Sequence, residues 1–243
     1  MAGKAKRASL ASLRGELRRH ATPARAKASA WYFKTGPGQY AEGDIFIGVT
    51  VPATRRLARQ GAALPLPDIQ KLLASKIHEE RLLALIILVG KAERAAPQEL
   101  KKLYRFYLRN LRHVNNWDLV DSSAGQIAGA YLYEHPDKKK ILYRLARSGR
   151  LWDRRVAVLS TSYFIGKGQF TDALRVTGML LGDEEDLLHK ACGWMLREIG
   201  KRDQKVLEAF LKKNHRKMPR TMLRYAIERF PEKKRRAYLE GKI

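Results

Sequence analysis

Along most of the chain, apolar residues recur at three- and four-residue intervals, the period of an amphipathic helix. In residues 7–20, Leu10, Leu13 and Leu17 fall on one side. A second helix is expected from Ala24 to Phe33. The stretch KTGPGQYAEGD, residues 34–44, holds three glycines and a proline and reads as a loop. Ile45-Phe46-Ile47-Gly48-Val49 has the composition of a strand but no partner run, so a buried extended connection is expected. Pro52 starts a helix, as proline does at a first helical position, and Arg55, Arg56 and Arg59 follow it. From Leu66 onward helix succeeds helix. Starts are expected at Pro67-Asp68, at His78 and at Pro97, where Leu100, Leu103, Tyr104, Tyr107, Leu108 and Leu111 keep helical spacing through residue 113. Further starts fall near Pro136, Leu151, Phe170, Glu184, Asp203, Pro219 and Glu232. Strand alternation is lacking, and the fold class is all-α.

A faint repeat runs through these helices. ERLLALIILVG, LVDSSAGQIAG, RRVAVLSTSYFIG and HKACGWMLREIG end at Gly90, Gly129, Gly166 and Gly200, spaced by 39, 37 and 34 residues. Such segments read as inner helices of stacked helix pairs, which bury a continuous core and form a solenoid with a concave face. The competing architecture is a compact helical bundle. The solenoid reading makes residues 1–243 one helical-repeat domain: N-terminal helices at 7–33, an irregular loop at 34–51 and repeats at 52–243.

Charge narrows the function. The chain carries 49 Lys+Arg against 24 Asp+Glu, a formal net charge of +25. A domain so basic seeks an anionic partner, and nucleic acid is the commonest. An anionic membrane surface is the weaker alternative. No apolar run approaches the roughly 20 residues needed to span a bilayer, and basic Met1–Arg7 has no apolar stretch behind it, so no secretory signal is expected. The single cysteine, Cys192, excludes an internal disulfide and a multi-cysteine zinc site, and its apolar surroundings suggest a core residue. His20, His78, His113, His135, His189 and His215 are scattered, so neither metal nor cofactor is expected. These features suit the cytoplasm and its nucleoid.

The most informative stretch is Asn115-Asn116-Trp117-Asp118-Leu119-Val120-Asp121. Either asparagine can cap a helix, and Trp117 and Asp121 are four residues apart, hence on one face of it. The expected helix continues to Tyr133 with only glycines interrupting it. Two readings compete. In one, Trp117 packs in the core, Asp118 complements the helix dipole and Asp121 pairs with an arginine. In the other, a flat aromatic surface and a carboxylate face a polyanion, where a carboxylate needs a chemical reason to be. Aligned by their glycines, the later inner helices bring Trp152, Asp153, Arg154 and Arg155, then His189, Lys190, Trp194 and Arg197, to related positions.

FIGVTVPATRR (46–56), WDLVD (117–121), LWDRRVAVL (151–159) and HKACGWMLRE (189–198) together resemble the bacterial DNA alkylation repair enzymes of the AlkD type. These are DNA glycosylases built from HEAT-like repeats. The resemblance covers most of the chain. It implies an active site formed by Trp117, Asp121, Arg155 and Trp194, and a substrate of duplex DNA carrying N3- or N7-alkylated purines. Such a base is already cationic and leaves without protonation, so one carboxylate suffices. Asp121 would stabilise positive charge on the sugar and orient water, the two indoles would face the sugar, and Arg155 would contact a phosphate. The resemblance also implies access from the backbone side with the base left stacked. Arg154, Lys190, Arg197, Arg55 and Arg56 are expected to bind DNA electrostatically, and a monomer suffices. A non-catalytic protein that binds damaged or distorted duplex DNA is the main alternative, and a scaffold for acidic partners is the third.

Overall fold

The computed structural model describes residues 9–243, all-α and organised as helical repeats. Arg7 and Ala8, expected to begin the first helix, and the basic Met1–Arg7 segment lie outside the described residues. The chain divides into two compact units, the first ending at Ser123 and the second running from Ala124 to Ile243.

The first unit contains α1 (Leu10–Arg19), α2 (Pro23–Tyr32), α3 (Val51–Gln60), α4 (Leu66–Leu73), α5 (His78–Ala92), α6 (Pro97–Arg109) and α7 (Trp117–Asp121). Helix α5 is its axis, with α1, α3, α4, α6 and α7 all packed against it. Its apolar run, Leu82 through Leu88, leaves little polar surface to face water, so it is buried nearly all round. The charged opening of α5 is buried too: His78, Glu79, Glu80 and Arg81 are each at most 4% exposed. Ionised groups that deep require partners. Glu79 supplies the clearest case. Its carboxylate accepts the backbone N–H groups of Ile47 (3.1 Å to either oxygen), Gly48 (2.7 Å) and Val49 (3.2 Å). Glu80 pairs with Arg14 of α1 at 2.9 Å.

Those contacts hold the 45–49 segment against α5. It makes one isolated parallel bridge, Ile45 with Ile77. Contrary to expectation, the segment is not buried throughout: Thr22 and the start of α2 close over Ile47 and Gly48, but Ile45, beyond that contact, is 48% exposed. Gly48 is required here. Its φ is +81°, and a Cβ would lie 2.3 Å from the Thr22 carbonyl oxygen. Helix α2 buries none of its residues, and Trp31 and Tyr32 at its end are 75% and 58% exposed.

The second unit opens with a π-helical turn at Gly125–Gly129, followed by α8 (Ala130–Glu134), α9 (Lys140–Ala146), α10 (Leu151–Gly166), α11 (Thr171–Met179), α12 (Asp186–Gly200), α13 (Gln204–Asn214), α14 (Arg220–Ala226) and α15 (Glu232–Leu239). The π turn, α10, α12 and α14 pack successively on one another, with α9, α11 and α13 alternating between them, the arrangement of stacked helix pairs. Helix α14 is thus an inner helix that the glycine spacing does not reveal.

The glycines differ in purpose. At Gly129 a Cβ would lie 2.3 Å from the Ser160 carbonyl oxygen, and at Gly193 it would lie 2.6 Å from that of Met222, so both permit backbone-close helix contacts. Gly166 has open space around it and simply ends α10. The helix expected to run from Asn116 to Tyr133 is broken. It stops at Asp121, turns through Ser122–Ser123 and resumes as the π turn. Among the described residues no helix is long and apolar enough to cross a membrane.

Candidate active site

Helix α7 carries the first two candidate residues and is only five residues long. A helix that short has no stability of its own, so its position depends on what grips it. At its N-terminus Asn116 is fully buried, and its side-chain oxygen accepts the Trp117 N–H at 2.8 Å. The Asn116 amide also donates to Asp44 at 3.2 Å. Asp118 accepts the Leu119 N–H at 2.9 Å, while its second oxygen lies 2.8 Å from His78 Nε2. His78 Nδ1 is 3.1 Å from Asp44, which also receives Arg81 Nη2 at 2.6 Å. Asp118 is therefore tied to a buried histidine rather than serving only the helix dipole.

Just past the C-terminal end of α7, the hydroxyl of fully buried Tyr107 meets Ser123 Oγ at 3.0 Å, and Ser123 donates to the Leu119 carbonyl at 2.6 Å. Burial pushes the Tyr107 phenol above its usual range. The Ser123 hydrogen bond opposes this, and the negative charge of Asp121 adds to the rise.

Trp117 and Asp121 are both half-buried, one helical turn apart. The Trp117 indole stacks on Phe33, with ring centres 5.1 Å apart and planes at 11°, and meets Tyr32 edge-on at 6.1 Å. Phe33 in turn stacks on Phe46, and Phe46 on His78 at 4.4 Å. A column of four rings thus leads from the buried histidine to the candidate tryptophan. The 34–44 loop, whose purpose is not legible in its composition, ends in Asp44, the hub of this network.

In the second unit, α10 carries Arg154 and Arg155. Arg154 pairs with Asp183 at 2.8 Å and donates to the Ser148 carbonyl at 2.9 Å. Arg155 is 4% exposed, and its guanidinium donates to the Leu187 carbonyl at the start of α12. Helix α12 carries Lys190, paired with Asp186 at 2.6 Å, and Arg197, paired with Glu228. Trp194 is half-buried, and its indole N–H donates to Glu198 one turn on. Burial pushes the Glu198 carboxyl up, but hydrogen bonds from Lys201, Arg202 and Trp194 outweigh it and hold the group below its usual range. Cys192 is fully buried, and burial pushes its thiol up to about 12, as suits a core residue rather than a nucleophile.

Arg55 and Arg56 differ from the other basic candidates. They stand exposed on α3, and no carboxylate pairs with either among the described residues. Sequence reasoning singles out these arginines and offers Asn116 as a helix cap, which it is, but misses the buried set Asp44, His78 and Arg81 to which Asn116 is joined. The one available signal is the charged run His78-Glu79-Glu80-Arg81 set directly before an apolar helix, where a run of surface charges is out of place.

An all-α helical-repeat chain with a formal net charge of +25 has the electrostatics to meet an anionic partner such as nucleic acid. The model of the DNA alkylation repair enzyme family matches residues 13–230, and the chain belongs to that family. A solved structure described as a predicted DNA alkylation repair enzyme from Enterococcus faecalis is similar in fold. It is 18% identical, with a TM-score of 0.69, over 88% of this chain and 98% of that one. No curated protein matches. Family membership assigns the chain a role in DNA alkylation repair, with DNA as substrate.

Proposed function

We propose that the chain is a monofunctional DNA glycosylase that hydrolyses the N-glycosidic bond of cationic N3- and N7-alkylated purines in duplex DNA. The observation carrying this reading is the pairing of Trp117 with Asp121 on α7, a turn held at its start by Asn116 and Asp118 and just past its end by Ser123. Such anchoring is what a site needs to hold reacting groups in place. Positive charge on the base removes the need for a general acid. The transition state then places positive charge on the deoxyribose, and Asp121 offsets it while orienting the attacking water. Trp117 and Trp194 present aromatic faces to that sugar. Water takes the sugar carbon, so no lysine nucleophile and no strand cleavage are involved, and the base stays stacked.

The expected phosphate contact of Arg155 requires its guanidinium to exchange the Leu187 carbonyl for DNA. Arg154, Lys190 and Arg197 must likewise exchange carboxylate partners. Arg55 and Arg56 need no exchange, which makes them the first phosphate contacts. The protein acts as a monomer in the cytoplasm, at the nucleoid. The test is mass spectrometry of bases released from methylated, deaminated and uracil-containing duplexes. The proposal expects 7-methylguanine or 3-methyladenine release, unaffected by chelator, without strand breaks and with little uracil or hypoxanthine. Tight duplex binding with no base release would instead favour a non-catalytic reader of damaged DNA.

A further inference from the structure

The network beneath α7 contains a histidine whose protonation can be read from its partners. His78 is 2% exposed, and each ring nitrogen faces a carboxylate oxygen: Nδ1 faces Asp44 at 3.1 Å and Nε2 faces Asp118 at 2.8 Å. An ionised carboxylate only accepts hydrogen bonds, whereas a neutral imidazole has a single N–H. A neutral ring would therefore leave one nitrogen lone pair against a carboxylate oxygen in a buried site. Both contacts are favourable only when both nitrogens carry protons.

Charge counting agrees. Two carboxylates, Asp44 and Asp118, face one guanidinium, Arg81, and only a cationic His78 brings the cluster to neutrality. The adjacent carboxylates on α5 are engaged elsewhere, Glu79 with the 47–49 amides and Glu80 with Arg14. The one opposing cation is Arg81, whose Nη2 is 3.5 Å from Nδ1 but only 2.6 Å from Asp44. Phe33 and Phe46 cover the ring without adding charge.

We infer that His78 is a positioning residue: as an imidazolium bridging Asp44 and Asp118 it fixes the start of α7, and with it the placement of Trp117 and Asp121. Two routes carry the effect. One is ionic, through Asp118 in the first turn of α7. The other is the ring column from His78 through Phe46 and Phe33 to Trp117. His78 touches neither substrate nor the reacting bond. The inference deepens the glycosylase reading and rests on it for the catalytic consequence, while the linkage between His78 and Trp117 is measurable without any activity.

The experiment is an NMR titration of the full chain, following the His78 ring nitrogens and the Trp117 indole N–H, alongside single-turnover base release by wild type, His78→Gln and Asp118→Asn. His78 should keep both ring protons at pH values where His113 is already neutral. His113 is held below the usual imidazole range by burial and by the charges of Arg112 and Arg81. The Trp117 signal should shift in step with His78. Wild-type turnover should exceed that of His78→Gln by roughly ten- to a hundredfold where His78 is charged, the range expected when reacting groups are displaced by about 1 Å. That ratio should collapse as pH rises through the His78 titration. Asp118→Asn should lower the pH at which His78 loses its proton. A His78 that titrates with His113, or a Trp117 signal indifferent to it, overturns the inference even in an active enzyme. An intact NMR linkage in a protein that releases no base leaves His78 as a clamp on α7 and refutes the glycosylase reading instead.

Discussion

Glu79→Gln isolates the contact that holds the 45–49 segment to α5. The native carboxylate is 3% exposed and receives three consecutive backbone N–H groups within 3.2 Å. Glutamine is nearly isosteric. Its carbonyl oxygen can keep all three bonds made to Oε1, but its NH₂ then replaces Oε2, which lies 3.1 Å from the Ile47 N–H, and sets donor against donor there. The remaining bonds also lose their charge assistance, which contributes about 1.5–3 kcal/mol for a hydrogen bond to an ionised group against about 1 for a neutral one. The expected loss is about 2–3 kcal/mol. For a chain of this length each kcal/mol moves Tm by about 2–4 °C, giving a fall of roughly 4–12 °C by calorimetry. Hydrogen exchange should show the 47–49 amides losing protection before the α5 core. A variant melting within a degree of wild type, with those amides still protected, would falsify the claim that Glu79 anchors this segment.

Other outcomes follow from the same geometry. Gly129→Ala places a methyl 2.3 Å from the Ser160 carbonyl oxygen and should cost about 1–3 kcal/mol in urea unfolding, whereas Gly166→Ala, in open space, should not destabilise by that route. Arg55→Gln and Arg56→Gln should each flatten the slope of log affinity against log salt by about 0.9 for duplex DNA, without altering lesion preference; an unchanged slope in both removes them from the interface. The imidazolium of His78 stabilises the fold fully below its unfolded value of 6.5, and that contribution disappears as pH rises through its higher folded value. The Tm gap between wild type and His78→Gln should therefore shrink with rising pH, and a gap that widens contradicts the assignment. Cys192, with its thiol pushed up to about 12, should resist iodoacetamide at pH 8 in the native protein and react once unfolded.

How much of this was legible in the sequence depends on the range of the interaction. Helix starts are local events with local signatures. Pro97 begins α6, Glu232 begins α15, and Asp203 caps α13 by accepting the Val206 N–H at 3.1 Å. The break at Ser122–Ser123 has no such marker, because serine is tolerated in helices and what ends α7 is tertiary, with Tyr107 drawing in Ser123. The connections within the buried network were not legible for the same reason, although the charged run before α5 marks one end of it. Asp44, His78 and Asp118 lie 34 and 40 residues apart, and nothing periodic links them. Hydrophobic patterning also treats every charge as surface, so it misplaces Glu79, Glu80, Arg81 and Arg155, all buried because each has a partner in another element or along the backbone. The candidate pair Trp117 and Asp121 was readable because both sit on one turn, where spacing in sequence fixes spacing in space.

The central claim is that Asp121 acts on the sugar. The most direct measurement is the single-turnover rate of 7-methylguanine release from a defined duplex by wild type and by Asp121→Asn, at enzyme concentrations that saturate the DNA for both. Removing one preorganised electrostatic group from a transition state lowers the rate by about a hundred- to a thousandfold. The account predicts a fall of that size with duplex affinity retained. Equal rates at saturation would contradict it and remove Asp121 from the chemistry.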